Sequence, residues 1–452
     1  MKHCGVKIVI DTIFSALSTS DFKLHMIYSS AKKKYSMKGV TVHDVPEVDY
    51  SDTTYDSRDE FEKAVLHLAE KLQTVIDVSK PCIIHCHNAN LLKNPCVAPA
   101  LKHIAIESPH VSVIFQVHDF AEEGRDALLH RMHNLTGSFD AVYGARVAYP
   151  TGKNIVYCSI NIRDKELLEK MGLPVFLLHN NIDCDSLMQT AVTEGLTERL
   201  QKYAQREGYR YDPSRRVILS PLKIMRRKNV VETLFLLQQL NYYKDEWQLL
   251  ITLDAHSSDD AVYASRLKDF IKEHNLPVVI GFGFDFISPN FERTSEYPFT
   301  LVDLFEISDF IVTTSIKEGF GMTYLEGWVV KKPVIGRRLN YIFPDFEQAG
   351  LSMDHFYSTL RIKGKDFINY SEDEQYRLIE KDCSAEEDVS LFLRSVYSFN
   401  EAITAQNHAA FLNHFSLDAY RKRLHEIITK ASSHEFTEIN VDNTKVIDYF
   451  KQ

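Results

Sequence analysis

The sequence predicts an α/β protein made of two consecutive parallel-sheet halves. Three observations carry this. Short apolar, often β-branched runs alternate with helical stretches from Gly5 to beyond Arg338. The length of 452 residues suits about two or three domains. Late in the second half, Thr313 to Trp328 reads as strand exit, glycine turn and helix. That layout aims free backbone N–H groups at an anion.

Composition removes several function classes. Hydrophobic residues make up 44% and charged residues 25%, with a formal net charge of −10. Such a balance opposes sequence-independent nucleic-acid binding, which needs a basic surface. No apolar run approaches the roughly 18–20 residues of a membrane span, although peripheral membrane contact stays open. Charges interrupt the N-terminal stretch M-K-H-C-G-V-K-I-V-I-D, so it lacks the apolar core of a signal peptide. Seven scattered cysteines without a C-x-x-C pair fit a cytoplasmic chain with free thiols.

In order, residues 5–17 read as a helix, with Val6, Val9, Ile10, Ile13, Phe14 and Leu17 on one face. A strand follows at 23–28. A helix spans about 58–77 with Phe61, Val65, Leu68, Leu72 and Ile76 at helical spacing, and a strand occupies 81–88. Cys82, His85, Cys86 and His87 crowd that strand. Alternating strand faces keep ligands so closely spaced from converging on one ion, so no site residue is assigned to a metal. A helix at about 97–107 leads to the β-branched strand 111–120, which carries His118-Asp119 at its carboxyl end. Open α/β sheets bind ligands at that end. The charged loop 121–125 could meet an acceptor. A strand at 154–159, a helix at about 162–171 and a strand at 175–183 close the first half.

A polar helix, about 187–208, crosses to the second half. That half opens with a strand at 216–220 and the loop Lys223-Ile224-Met225-Arg226-Arg227-Lys228-Asn229. Four cations ahead of the helix 230–240 would suit a diphosphate; a solvated basic loop is the plainer alternative. Then come a strand at 248–253, a helix at 259–273, a strand at 278–283 with a glycine exit, a helix at 300–308 and the strand Phe310-Ile311-Val312. Beyond Trp328 a strand spans 333–338, and 386 to about 430 is helical. The tail 432–452 is polar and poorly patterned.

The segment E-G-F-G-M-T-Y-L-E places Glu318 and Glu326 with seven residues between them, around Gly319 and Gly321. Carboxylates accept strong hydrogen bonds from hydroxyls, so a phosphate cradle bracketed by two acids suggests a phosphorylated sugar. The segment resembles the E-x7-E signature of the retaining family 4 glycosyltransferases. Their fold, GT-B, has two Rossmann-like parallel-sheet domains facing across a cleft. The resemblance implies a N-terminal acceptor-side domain over 1–185 and a nucleotide-sugar domain over 186–400. Over 401–452 it implies C-terminal helices packing back on the first domain.

It also implies site roles. Glu318 would lie against the donor sugar and Glu326 would bind the nucleotide ribose. Gly319, Phe320, Gly321, Met322 and Thr323 would hold the donor diphosphate. Lys228 matches the family's phosphate-binding lysine. Pro221-Leu222 stands where Gly-Arg is usual, so Arg227 is taken as the partner arginine, with Arg226 and Lys223 as alternatives. His118 takes the role of the histidine that touches the donor sugar. The family's first strand is absent before the helix at 5–17, and Cys4-Gly5 stands where Gly-Gly is usual, so Gly5 is the donor-side glycine. The expected activity is transfer of a hexose from a nucleotide diphosphate sugar to a sugar, lipid or small-molecule acceptor. Configuration is retained and no metal or other cofactor is required. The alternatives are a non-catalytic nucleotide-sugar-binding or partner-binding protein, and a GT-B epimerase or phosphorylase, against which the carboxylate spacing speaks.

Overall fold

The computed structural model describes residues 5–18, 20–29, 36–255, 258–380, 387–433 and 435–451. The chain forms two compact units. One contains Met1–Asn181 and Leu417–Gln452, the other Ile182–Ser416.

In the first unit, β1 (Leu24–Tyr28) pairs in parallel with β2 (Val40–Asp44). A separate four-stranded parallel sheet contains β3 (Cys82–His87), β4 (Val111–Val117), β5 (Ile155–Ser159) and β6 (Val175–Leu177), in that order. Every residue of β4 and β5 is buried, as expected of central parallel strands covered on both faces. One cover is α1 (Gly5–Leu17), whose Val9, Ile13 and Ala16 share a core with Ile114, Val156 and Cys158. The other face takes α2 (Arg58–Gln73) and α3 (Val97–Glu107). The Ser57 hydroxyl caps α2 by accepting from the Glu60 N–H at 3.2 Å.

The second unit holds a five-stranded parallel sheet: β7 (Arg216–Lys223), β8 (Trp247–Leu253), β9 (Val278–Ile280), β10 (Phe310–Thr313) and β11 (Val334–Gly336). Its spatial order is β11-β10-β7-β8-β9. The chain runs outward through β8 and β9, then crosses β7 to add β10 and β11. The strand order therefore switches between β7 and β10, and open α/β sheets place ligands at the carboxyl ends flanking such a switch. Helix α4 (Val230–Tyr243) follows β7, and α5 (Thr323–Val329) follows β10. A short antiparallel pair, β12 (Arg361–Ile362) and β13 (Lys365–Asp366), lies beyond β11. Helix α6 (Glu401–His414) packs on α5. The chain then returns to the first unit. Tyr420, Leu424 and Ile427 of α7 (Leu417–Ala431) join the α1 core. Val446 of α8 (Thr444–Lys451) joins the opposite core.

Several expectations are corrected. The boundary placed at 400/401 moves to Ser416/Leu417, because α6 buries Phe411 in the second unit. The tail expected to be unpatterned contributes Val441 and Val446 to the core, and Asn443 donates to the buried Glu122 carboxylate at 2.7 Å. The single crossing helix at 187–208 is two helices, Cys184–Leu187 and Leu196–Glu207, with Gly195 between them at φ +78°. Strand β7 runs on through Pro221 and Leu222 to Lys223, with a register shift after Ser220. A proline has no ladder donor, and a bulge accommodates it. Strand β2 was missed altogether. Residues 1–4, where an opening strand is expected to be absent, lie outside the described residues.

Glycine is indispensable at the end of β11. Gly336 has φ +144°, and a Cβ there would lie 1.9 Å from the Thr313 carbonyl oxygen across the β10–β11 pair. Gly336→Ala should destabilise the protein by about 3 kcal/mol in urea titrations, since backbone strain and overpacking add. Gly364→Ala, where φ is +77° and the space is open, should cost only about 1 kcal/mol.

Candidate active site

The basic loop is a 3₁₀ turn, Arg226–Lys228, ending at Asn229 with φ +51°. Its middle and its carboxyl end are tied to the β10 exit. The Ile316 N–H donates to the Arg227 carbonyl at 2.9 Å. The Thr314 hydroxyl donates to the carbonyls of Lys228 and Asn229 at 3.2 and 2.9 Å. Asn229 Nδ2 donates to the Thr314 carbonyl at 3.2 Å and to Glu232 Oε2 at 2.8 Å. Glu232, fully buried on α4, also receives Arg337 Nε and Nη2 at 2.9 and 2.8 Å and the Tyr357 hydroxyl at 2.7 Å. Arg337 spends its remaining donors on Asp366, at 3.0 and 2.7 Å, and on the Ser358 carbonyl. The turn thus hangs from a buried charge network whose polar groups are paired.

Glu318 is where the network's product is used. Arg227 Nη1 donates to Glu318 Oε2 at 2.8 Å, and Lys228 Nζ donates to Oε1. Arg227 also donates to the Lys317 carbonyl at 2.9 Å. The Tyr341 hydroxyl brackets the Glu318 backbone, accepting from its N–H at 2.6 Å and donating to its carbonyl at 2.8 Å. Burial pushes the Glu318 carboxyl up. Lys228 and Arg227 more than offset that, so its pKa lies below the usual value.

Glu326 behaves oppositely. Its residue keeps some accessible surface. Burial raises its carboxyl to about 7, Lys228 opposing and Glu318 adding to the rise. Among the described residues its carboxyl makes no hydrogen bond or ion pair. Between the two acids the chain turns at Gly321, φ +84°, where a Cβ would meet Ile342 and Tyr324 side chains at 2.8 Å. Helix α5 then starts, so the N–H groups of Gly321, Met322 and Thr323 have no acceptor among the described residues. Gly319 is exposed. The Phe320 ring is buried against Phe346 and Phe415, which leaves its backbone as the part that could meet a ligand.

Gly5 and His118 belong to the first unit. Gly5 opens α1. His118 lies just beyond β4, buried, with its N–H donating to Asn88 Oδ1 at 2.8 Å and its Nε2 3.0 Å from His87 Nδ1. The rings of His85, His87 and His118 stack, with centroids 4.6 and 5.3 Å apart. Burial, with His85 adding and Asp119 opposing, lowers His118 to about 4, so its ring is neutral at pH 7. No cluster of three or more His, Cys, Asp or Glu that could hold a metal ion occurs among the described residues. Sequence reasoning missed Tyr341, Asn229, Glu232 and Arg337. An arginine ending an apolar strand was the available signal for Arg337; Tyr341 gave none.

The second unit therefore joins Arg227, Lys228, Glu318, Glu326 and the 319–323 turn at the switch point of its sheet. With two parallel α/β units, the protein has the GT-B fold. No family model matches the chain. It is similar to the mannosylglucosyl-3-phosphoglycerate synthase of Petrotoga mobilis, 26% identical over 95% of this chain and 89% of the relative. Two solved structures are similar in fold. The sucrose-phosphate synthase of Thermosynechococcus elongatus has a TM-score of 0.58 at 12% identity, covering 94% of this chain and 92% of that one. The catalytic domain of Arabidopsis thaliana starch synthase IV has a TM-score of 0.57 at 13% identity, covering 96% and 97%. No helix among the described residues is long and apolar enough to cross a membrane. None of the described cysteines forms a disulfide.

The raised Glu326 carboxyl gives a signed pH dependence. Between the ordinary value of 4.5 and about 7, the folded state binds more protons than the unfolded state. Stability then falls as pH rises through that window. Glu326→Gln should remove this slope, making the variant more stable than wild type by about 1–2 kcal/mol above pH 7, after discounting for residual solvent access. At pH 4 the two should be equal. Denaturant titrations of both proteins from pH 4 to 8 check this.

Proposed function

We propose that the protein is a retaining, metal-independent glycosyltransferase of the E-x7-E type. It would transfer a hexose from a nucleotide diphosphate sugar to a small acceptor. The observation that carries this reading is the second-unit constellation. Two cations and three unpaired amides lie beside one ionised acid, and a second acid within the same turn and helix has no partner. Lys228 and Arg227 would neutralise charge developing on the departing diphosphate, with the N–H groups of 321–323 as preorganised donors. Glu326 would accept from ribose hydroxyls. Glu318 would contact the donor sugar. These two cations supply the positive charge that a metal supplies elsewhere.

The acceptor oxygen would attack the anomeric carbon from the face the diphosphate leaves. The bond to the diphosphate oxygen breaks as the new glycosidic bond forms, and the acceptor's proton passes to the leaving phosphate. This gives retention without a side-chain base. The Petrotoga relative's name puts mannosyl, glucosyl and 3-phosphoglycerate in one product, so a mannose donor and a glucosyl-3-phosphoglycerate acceptor come first for testing. The starch synthase structure holds ADP and acarbose, which supports a nucleoside diphosphate as the shared ligand of the fold.

A thermal-shift panel of UDP-, GDP- and ADP-sugars tests the donor. One of them at about 100 times its Kd should add roughly 2.7 kcal/mol to stability, with or without EDTA. Turnover with a phosphorylated acceptor then separates an enzyme from a non-catalytic binder, which would shift in melting temperature and transfer nothing. Glu326→Ala should weaken donor binding about 10–100-fold, as expected when charge-assisted hydrogen bonds are lost. Lys228→Ala should lower kcat by about 100-fold or more while changing KM less. Unchanged donor affinity in Glu326→Ala would sink the assignment.

A further inference from the structure

The two cations proposed for the donor diphosphate are already engaged. Arg227 Nη1 is 2.8 Å from one Glu318 oxygen and Lys228 Nζ bonds the other, in a pair whose lysine and glutamate side chains are only 12% and 9% exposed. Tyr341 fixes the Glu318 backbone on both sides, so the carboxylate is held in place rather than sampling solvent. Arg227 is the more open partner, 41% exposed. A diphosphate arriving at these cations meets an anion bound in the geometry that a phosphate oxygen would use.

We propose that Glu318 is an internal competitor for the diphosphate's cations, tuning how tightly the site holds a nucleoside diphosphate and how readily it releases one. This rests on the reading of Lys228 and Arg227 as the diphosphate site. Binding exchanges one carboxylate for a more highly charged diphosphate, and departure of the product returns the carboxylate to its partners. The affinity measured is the difference between the two interactions, because the free site is never an empty pair of cations. Glu326 is the complement. Its unpaired carboxyl offers nothing to the phosphates and stays available to hydroxyls.

The test is isothermal titration of wild type and Glu318→Gln with UDP, GDP and ADP, and with inorganic pyrophosphate. Using the diphosphates without a sugar avoids the contact that Glu318 is proposed to make with the donor hexose. Glu318→Gln keeps the side-chain shape and removes the charge. It should bind the responding nucleoside diphosphate and pyrophosphate about tenfold tighter, while the matching nucleoside binds as in wild type. Tyr341→Phe, which loosens the Glu318 backbone, should shift diphosphate affinity in the same direction by a smaller factor, and it serves if Glu318→Gln does not fold. Equal or weaker diphosphate binding in the folded variant overturns the competitor role and leaves the donor site standing. Failure of wild type to bind any of the three nucleotides would instead remove the reading beneath it.

Discussion

The second unit depends on the burial of one guanidinium. Arg337 is 3% exposed and holds Glu232 and Asp366 together. Removing an ion from water costs several kcal/mol, and only full pairing offsets it. Here the offset dictates geometry. Arg337 sits one residue past Gly336, so β11 must approach β10 closely enough that no Cβ fits between them. Glu232 lies in the first turn of α4 and must face that strand. Asp366 draws the β12–β13 pair onto the same point. An apolar core of equal volume could be as stable, but it would not fix these three elements in one register.

From that anchor the chemistry follows by short steps. Glu232 accepts from Asn229, whose left-handed backbone ends the basic turn. Asn229 and Thr314 fasten the turn to the β10 exit, and the same exit leads within four residues to Glu318. Arg227 and Lys228 thereby reach Glu318 from a segment about 90 residues earlier in the chain. The Tyr324 hydroxyl, donating to the Arg337 carbonyl at 2.8 Å, ties the helix that carries Glu326 to the exit of β11, where the buried arginine sits. One network therefore sets the relative positions of both cations and both acids.

This explains which parts of the site were legible in the sequence. Glu318, Gly321 and Glu326 fall within one nine-residue stretch, and a turn followed by a helix is a local pattern with a local reading. Lys228 and Arg227 were visible as cations before a helix against an acidic background. Their pairing with Glu318 depends on the β7–β10 adjacency, a long-range fact of sheet order that no spacing encodes. The buried strands β4, β8 and β10 announced themselves as short, mostly apolar runs rich in β-branched and aliphatic residues. The tail did not, because Val441 and Val446 are isolated apolar residues in polar surroundings. Their burial comes from the surface they meet rather than from any period of their own. Pro221 misled for a related reason. It ends most strands, yet here a bulge carries the strand past it.

The two acids of the motif show how far a spacing goes. With seven residues between them and identical side chains, they reach opposite electrostatic states. Glu318 meets two cations and is held ionised, while Glu326, sharing only the influence of Lys228 and lying near the charge of Glu318, is raised to about 7. A carboxyl poised there changes its proton occupancy when hydroxyls donate to it, because hydrogen bonds to the charged form favour that form. A carboxylate already saturated by lysine and arginine does not. The division of labour proposed for the pair, one acid held on the diphosphate's cations and the other left open to ribose hydroxyls, thus follows from environment. The sequence spacing ensures only that both acids stand at the same turn.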